Sequence, residues 1–252
     1  MTTIFILSIV FVIAVVVFNY CAIKKGPLSE AISKGIASVL FVAIGCLAFP
    51  MSCDNGDMAC TFQAGIIAGL VFGMIGDVLL ALRRFNKAKR NAFIMSGIAA
   101  FALGHLCYLA VIALNMMAIL PENLIWLGVL PVVLGVLFGF GMIKLSPVLN
   151  LEFGKLKAGV FFYGSLIACM LFTAILTAIT STVQSGWVFF YIVPAIASLL
   201  FVTSDSLLSK AYFDKSGEIT AAWLIIAIHV AYYLAQYLFA LSAIGPQIAG
   251  QL

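Results

Sequence analysis

Polar residues along this chain come in short clusters, and between them run eight long apolar stretches, at about 3–23, 33–50, 63–82, 91–114, 123–143, 157–181, 185–208 and 219–244. Each is close to the roughly 20 residues that a helix needs to cross the hydrocarbon core of a bilayer. The apolar runs are continuous, whereas a barrel strand alternates lipid-facing and lumen-facing positions. Backbone groups in lipid must pair internally, so continuous apolar runs of this length predict spanning helices. Composition agrees: 65% of the 252 residues are hydrophobic and 9% are charged, and the mean hydropathy is +1.23. That leaves too little polar surface for a water-soluble domain of this size. The expected fold class is all-α, a polytopic membrane bundle of eight transmembrane helices in one membrane domain.

The charges give an independent test of the count. Lys24, Lys25 and Lys34 fall between the first two stretches, and Arg83, Arg84, Lys87, Lys89 and Arg90 between the third and fourth. Lys144, Lys155 and Lys157 follow the fifth, and Lys210 and Lys215 follow the seventh; together these are all 13 basic residues. With eight spans, every one falls on the same side, which the positive-inside rule makes cytoplasmic. Both termini then lie outside the cytoplasm, and the compact chain with short loops fits a bacterial inner membrane. The first stretch is too long for a signal peptide, and no small-residue cleavage site follows it. The net charge of +4 reflects this topology, and no basic helix with interleaved aromatics points to nucleic acid. The cluster Arg83–Arg90 is open to a second use, holding a substrate phosphate or anionic head groups. Cys21, Cys46, Cys107 and Cys169 read as small buried thiols. Cys53 and Cys60 share an outside loop, where a disulfide is open to them but spacing alone does not decide it.

Two acidic residues break the apolar runs, and each opens the same pattern. The first copy reads Gly76-Asp77-Val78-Leu79-Leu80, then Phe85-Asn86-Lys87, then His105 and Tyr108. The second reads Ser204-Asp205-Ser206-Leu207-Leu208, then Phe213-Asp214-Lys215, then His229 and Tyr232. The offset is 128 positions from Asp77 to Asp205 and again from Lys87 to Lys215. An offset of four helices preserves direction, so the expectation is two parallel four-helix repeats, about 1–120 and 121–252. An ionisable group in hydrocarbon is costly unless it faces a partner or a wet cavity, which makes both aspartates candidate site residues. Gly65, Gly69, Gly73 and Asp77 recur every four positions, a small-residue stripe that turns Asp77 toward the bundle. His229, Tyr232, Tyr233 and Gln236 likewise share one helical face, as do His105 and Tyr108. Both aspartates fall near cytoplasmic helix ends, and the expectation is that they converge in a shared chamber open to that leaflet.

Gly76-Asp77-x-Leu79-Leu80, His105-x-x-Tyr108, Ser204-Asp205-Ser206-Leu207-Leu208 and Tyr232-Tyr233-Leu234-Ala235-Gln236 resemble the motifs of the YhhN family of lysoplasmalogenases. The resemblance spans essentially the whole chain. Its departure is Ala231, where the family often has Thr before the paired tyrosines. What it implies is cleavage of the vinyl ether of a lysoplasmalogen, giving a fatty aldehyde and glycerophospho-ethanolamine or -choline, with a lysophospholipid substrate and no cofactor.

Vinyl ether hydrolysis needs a proton delivered to the carbon beta to oxygen and then capture of an oxocarbenium ion by water. Glycosidases manage a related cation with two carboxyl groups. Asp77 and Asp205 are the expected catalytic pair, since two nearby carboxyls in a low-dielectric cavity favour one proton between them. His105 and His229 are expected to relay protons. Tyr108, Tyr232, Tyr233 and Gln236 are expected to orient the substrate, with Ser204 and Ser206 in support. Each residue also has a purely structural reading, as an interhelical hydrogen-bonder. No helix carries an i, i+3 or i, i+4 carboxylate–His pair, so no metal site is expected. A proton-coupled small-solute transporter is the alternative function, because parallel repeats around paired carboxylates suit it too. A structural membrane scaffold is a third.

Overall fold

The computed structural model describes residues 2–54, 57–119, 124–185, 188–217 and 219–242. Among them, eight α-helices are long and apolar enough to cross a membrane, and there is no β-strand. They are α1 (Thr2–Lys24), α2 (Pro27–Cys53), α3 (Asp57–Leu82), α4 (Arg90–Ile119), α5 (Leu124–Leu145), α6 (Lys157–Ser185), α7 (Val188–Phe213) and α8 (Ala222–Leu241).

Several helices outrun their apolar stretches, for identifiable reasons. α2 starts at Pro27, whose missing N–H costs nothing in a first turn. Its early hydroxyl at Ser33 bonds back to the carbonyls of Ser29 and Glu30. Lys34 therefore rides on α2, not in a connection, and Lys144 and Lys210 likewise sit in the last turns of α5 and α7. Cys53 ends α2, Cys60 lies in the first turn of α3, and the two are joined in a disulfide. The expected extension of the eighth span to residue 244 lies partly outside the described residues.

The chain forms two compact units, Met1–Cys107 with the segment from Gln236, and Tyr108–Ala235; the division falls inside α4 and α8. In the first, α2 packs against both α1 and α3. Phe18, Phe41, Ile44, Phe62, Ile66 and Leu70 are buried completely or nearly so. The glycines of α3 and α4 allow close approach: a Cβ on Gly104 would lie 3.0 Å from the Gly69 carbonyl oxygen, and one on Gly76 would strike the Phe101 ring at 2.7 Å. The end of α8 is tied in by Tyr237, which stacks on Phe11 at 5.5 Å and donates to the Ser8 hydroxyl at 2.9 Å. Gln63 adds a donor bond to the Gly45 carbonyl at 2.7 Å.

In the second unit α6 packs against α5 and α7. Its α5–α6 connection is stapled to the end of α7. Leu151 and Asp214 form an antiparallel bridge, with Glu152 N–H donating to the Phe213 carbonyl (2.8 Å) and Lys215 N–H to the Asn150 carbonyl (3.0 Å). Asn150 adopts a left-handed φ of 59°, a conformation that asparagine tolerates better than most residues. Its side-chain amide donates to Asp214 Oδ1 at 3.1 Å, which also receives the Ser216 N–H at 2.9 Å. Lys210 forms an ion pair with Asp214 Oδ2. Phe213 and Phe153 meet edge to face at 5.3 Å under this layer, in a cluster with Leu151, Val160 and Ile143.

Asp214 is held well below the usual carboxylate range, first by the bond from Lys210 and then by those from Ser216. Depression in the folded state means that its stabilising effect is complete above an unfolded carboxyl value of about 3.9 and is lost as pH falls through the lower folded value. Hydrogen exchange should therefore show the amides of Glu152, Lys215 and Ser216 losing protection below about pH 4, with this pH dependence absent in Asp214→Asn.

Candidate active site

The first carboxylate is enclosed by its own neighbours in the chain order. Asp77 lies on the buried face of α3 with Gly69 and Gly73, while Gly65 is half-buried. On α2, Lys34 and Ser38 are one helical turn apart, so their side chains leave the same face. Lys34 Nζ sits 3.0 Å from Asp77 Oδ1, and the Ser38 hydroxyl donates to Oδ2 at 2.6 Å. Both carboxylate oxygens thus act as acceptors, one from a cation. The ammonium also lies 5.9 Å from the centroid of the buried Phe18 ring, a favourable cation–π position. Burying two charges is costly, and good geometry with extra hydrogen bonds is what offsets the cost. His105 on α4 and Gln236 on α8 are buried in the same unit.

The second carboxylate has a different partner. Asp205 is half-buried on α7 and accepts a 2.5 Å hydrogen bond from the Tyr163 hydroxyl of α6. Tyr163 packs by its ring against the Ile167, Leu171 and Val202 core, so the phenol is aimed by packing. The flanking serines are engaged with backbone: Ser204 donates to the Ile228 carbonyl of α8 at 3.0 Å, and Ser206 to Val202 on its own helix at 2.7 Å. They fix the α7 segment that carries Asp205 and tie it to α8. Tyr108, Tyr232 and Tyr233 are buried in this unit and linked through Phe201. Centroid separations are 6.3 Å for Tyr108–Phe201, 5.6 Å for Phe201–Tyr232 and 4.9 Å for Tyr232–Tyr233. His229, on the same helix, is half-buried.

Each predicted residue therefore has a described environment, with Asp77, His105 and Gln236 in the first unit and Tyr108, Ser204, Asp205, Ser206, His229, Tyr232 and Tyr233 in the second. Sequence reasoning missed Lys34, Ser38, Tyr163 and Phe201. Lys34 was absorbed into the topological charge count, although Lys34-x-x-x-Ser38 at the start of an apolar span is itself a helical polar face. Among the described residues, no three His, Cys, Asp or Glu side chains gather as a metal site would require.

Eight apolar helices with carboxylates set inside two of them, one held by an ammonium and a hydroxyl and one by a phenol, define a polytopic α-helical membrane protein with polar groups placed within its spans. The chain belongs to the YhhN family, whose sequence profile matches residues 29–243. That stretch includes both aspartates with Lys34, Ser38 and Tyr163. No curated protein and no solved structure matches the chain.

Removing one member of a buried ion pair typically costs about 3–5 kcal/mol, because the other charge is left uncompensated. Lys34→Met should accordingly lower the thermal unfolding midpoint of the purified protein, and Lys34→Met/Asp77→Asn should recover most of the loss. An additive double variant would show that the two side chains do not stabilise one another.

Proposed function

We propose that this protein is an integral-membrane hydrolase that cleaves the vinyl ether bond of a lysoplasmalogen, releasing a fatty aldehyde and glycerophospho-ethanolamine or -choline. The observation that carries the reading is the buried Asp77 carboxylate, with both oxygens accepting from Lys34 and Ser38, in a chain of the YhhN family. Family membership supports a lysoplasmalogenase-like activity, and the site residues support acid–base chemistry within the membrane.

The reaction needs one group that gives a proton and one that accepts. Protonation of the carbon beta to the ether oxygen uses the electron pair of the double bond and leaves an oxocarbenium ion. Water adds to the carbon alpha to oxygen and loses a proton to a carboxylate. The resulting hemiacetal collapses, its carbon–oxygen bond to glycerol breaks, and the glycerol oxygen takes up a proton. Net, one water is consumed and no redox change occurs. Asp77 suits the accepting, cation-stabilising role, because Lys34 can only donate to it. Asp205 suits proton delivery, since its partner Tyr163 bears a hydroxyl that can accept as well as donate. His105 and His229 serve as relays, Tyr108, Tyr232, Tyr233 and Gln236 orient the alkenyl glycerol, and Ser204 and Ser206 support Asp205. The two Asp-bearing stretches are read as copies of one ancestral four-helix unit that have since acquired different partners.

We place the basic connections in the cytoplasm and both termini outside it, in a bacterial inner membrane. The disulfide supports this orientation: Cys53 and Cys60 flank the α2–α3 connection, whereas the 13 basic residues cluster around the α1–α2, α3–α4, α5–α6 and α7–α8 connections. A disulfide persists on the oxidising side of a membrane.

Purified protein should release aldehyde from an alkenyl lysophospholipid, followed by mass spectrometry. Asp77→Asn and Asp205→Asn should each reduce turnover by at least about 10²-fold, in the range expected for loss of an acid–base group, while eluting as folded protein. Wild-type-like turnover in either variant removes the two-carboxyl mechanism. For topology, a cysteine introduced at Thr3 should react with a membrane-impermeant maleimide in intact cells, and one at Ser216 only after permeabilisation.

A further inference from the structure

Two ion pairs of opposite sense join α2 to the far end of α3. Lys34 on α2 meets Asp77 on α3, and one turn earlier on α2 Glu30 meets Arg84, in the turn that follows α3. Glu30, Lys34 and Ser38 recur every four residues, so they share one face of α2. The side chains of the inner pair are 13% and 2% exposed, whereas Arg84 is 39% exposed. An ion pair with one partner that open contributes little to stability by itself, so stability alone gives no account of the outer pair.

What the outer pair does decide is which acid is open to Lys34. Asp77 lies across on α3, but Glu30 lies four residues before Lys34 on the same helix, the favourable order for a Glu–Lys pair. Glu30 is also the more solvated acid, its side chain 14% exposed against 2% for Asp77. An ammonium that turned to Glu30 would recover part of its desolvation cost. Arg84 stands in the way of that exchange. Its Nη1 donates to Glu30 Oε2, and a guanidinium offers a carboxylate a planar fork of donors that an ammonium lacks. With Glu30 taken, Lys34 reaches Asp77 at 3.0 Å.

We propose that Arg84 is a positioning residue: by occupying Glu30 it directs the Lys34 ammonium to Asp77. Without Arg84, Glu30 competes for that ammonium, and the buried carboxylate shares its cation with a second acid. All four side chains belong to the first unit. The choice of partner is a property of the fold and stands apart from the enzymatic reading. Its effect on turnover rests on that reading, in which Asp77 is the accepting, cation-stabilising group.

The test is a double-mutant cycle of Lys34→Met and Asp77→Asn in the full-length purified protein, read as shifts of the thermal unfolding midpoint and repeated in changed backgrounds. With Arg84 present the two losses should be strongly non-additive. In Arg84→Met the non-additivity should shrink by about half or more, because Glu30 then accepts Lys34 when Asp77 is gone. Arg84→Met/Glu30→Gln should restore it, and Arg84→Lys should keep most of it. Aldehyde release gives a second readout. Arg84→Met should lower turnover on the order of tenfold or more, as displacement of a positioned group does, and adding Glu30→Gln should return most of the loss. The proposal is overturned if the cycle is the same with and without Arg84. It is equally overturned if Glu30→Gln reverses neither loss, the result expected if Arg84 held the substrate phosphate or merely braced the fold. Absence of turnover in the unaltered protein would sink the hydrolase reading, and the cycle alone would then decide the role of Arg84.

Discussion

A charge placed in hydrocarbon must bring its partner with it, and in this protein that demand is met between Asp77 and Lys34. Water cannot solvate the carboxylate where α3 is buried, so the ammonium and the Ser38 hydroxyl take over, and the Phe18 ring lies against the ammonium in turn. The arrangement constrains more than one side chain. Lys34 reaches Asp77 because α2 begins at Pro27 and is already helical at its second turn. Ser38 follows one turn later on the same face. α3 must in turn present Asp77 inward, which its buried Gly69, Gly73 and Gly76 allow by letting neighbouring helices come close. The polar start of α2, the small-residue face of α3 and the buried acid thus form one mutually dependent set.

Asp205 shows how the same demand can be met without a lysine. A phenol can donate to a carboxylate and can equally accept from a carboxylic acid, whereas an ammonium can only donate. The choice of partner therefore governs which protonation states a buried acid can occupy without breaking its contact. Tyr163 is aimed by packing against Ile167, Leu171 and Val202, so its hydroxyl position is set by apolar neighbours. Two aspartates in similar sequence settings thus sit in chemically unequal environments, which is what acid–base work by a pair of carboxyl groups requires.

The number and type of helices could be read from the sequence because lipid imposes one rule on every span: continuous apolar character over a fixed length. Helix ends were less legible. Pro27, Ser29 and Glu30 read as loop, yet proline fits a first turn and α2 carries the polar residues without difficulty. Lys210 read as loop for the same reason, and α7 carries it to the Asp214 ion pair. Asp77 and Asp205 stood out as acids in apolar runs, while their partners did not. Lys34 had a ready explanation as a topological charge. Tyr163 lies in a Phe161-Phe162-Tyr163 run in which an aromatic needs no special account. A partner identified only by which helix packs beside which belongs to tertiary structure, and no periodicity within one segment contains it.

The loops make the same point from the other direction. Phe85-Asn86-Lys87 and Phe213-Asp214-Lys215 differ at one position, Asn against Asp, and that difference carries much of the divergence between the turns. The Asp214 carboxylate can accept several donors at once: Lys210, the Asn150 amide and Ser216 all reach it. An amide in its place has only one acceptor atom and no charge to draw a lysine. Asn86 accordingly caps its own turn through Lys89 N–H. The turn after α3 leaves its aromatic ring exposed, whereas the turn after α7 spends an acid on its lysine, packs its ring on Phe153 and becomes part of the scaffold. Here the choice between surface and scaffold follows from whether the middle residue of the turn carries a negative charge.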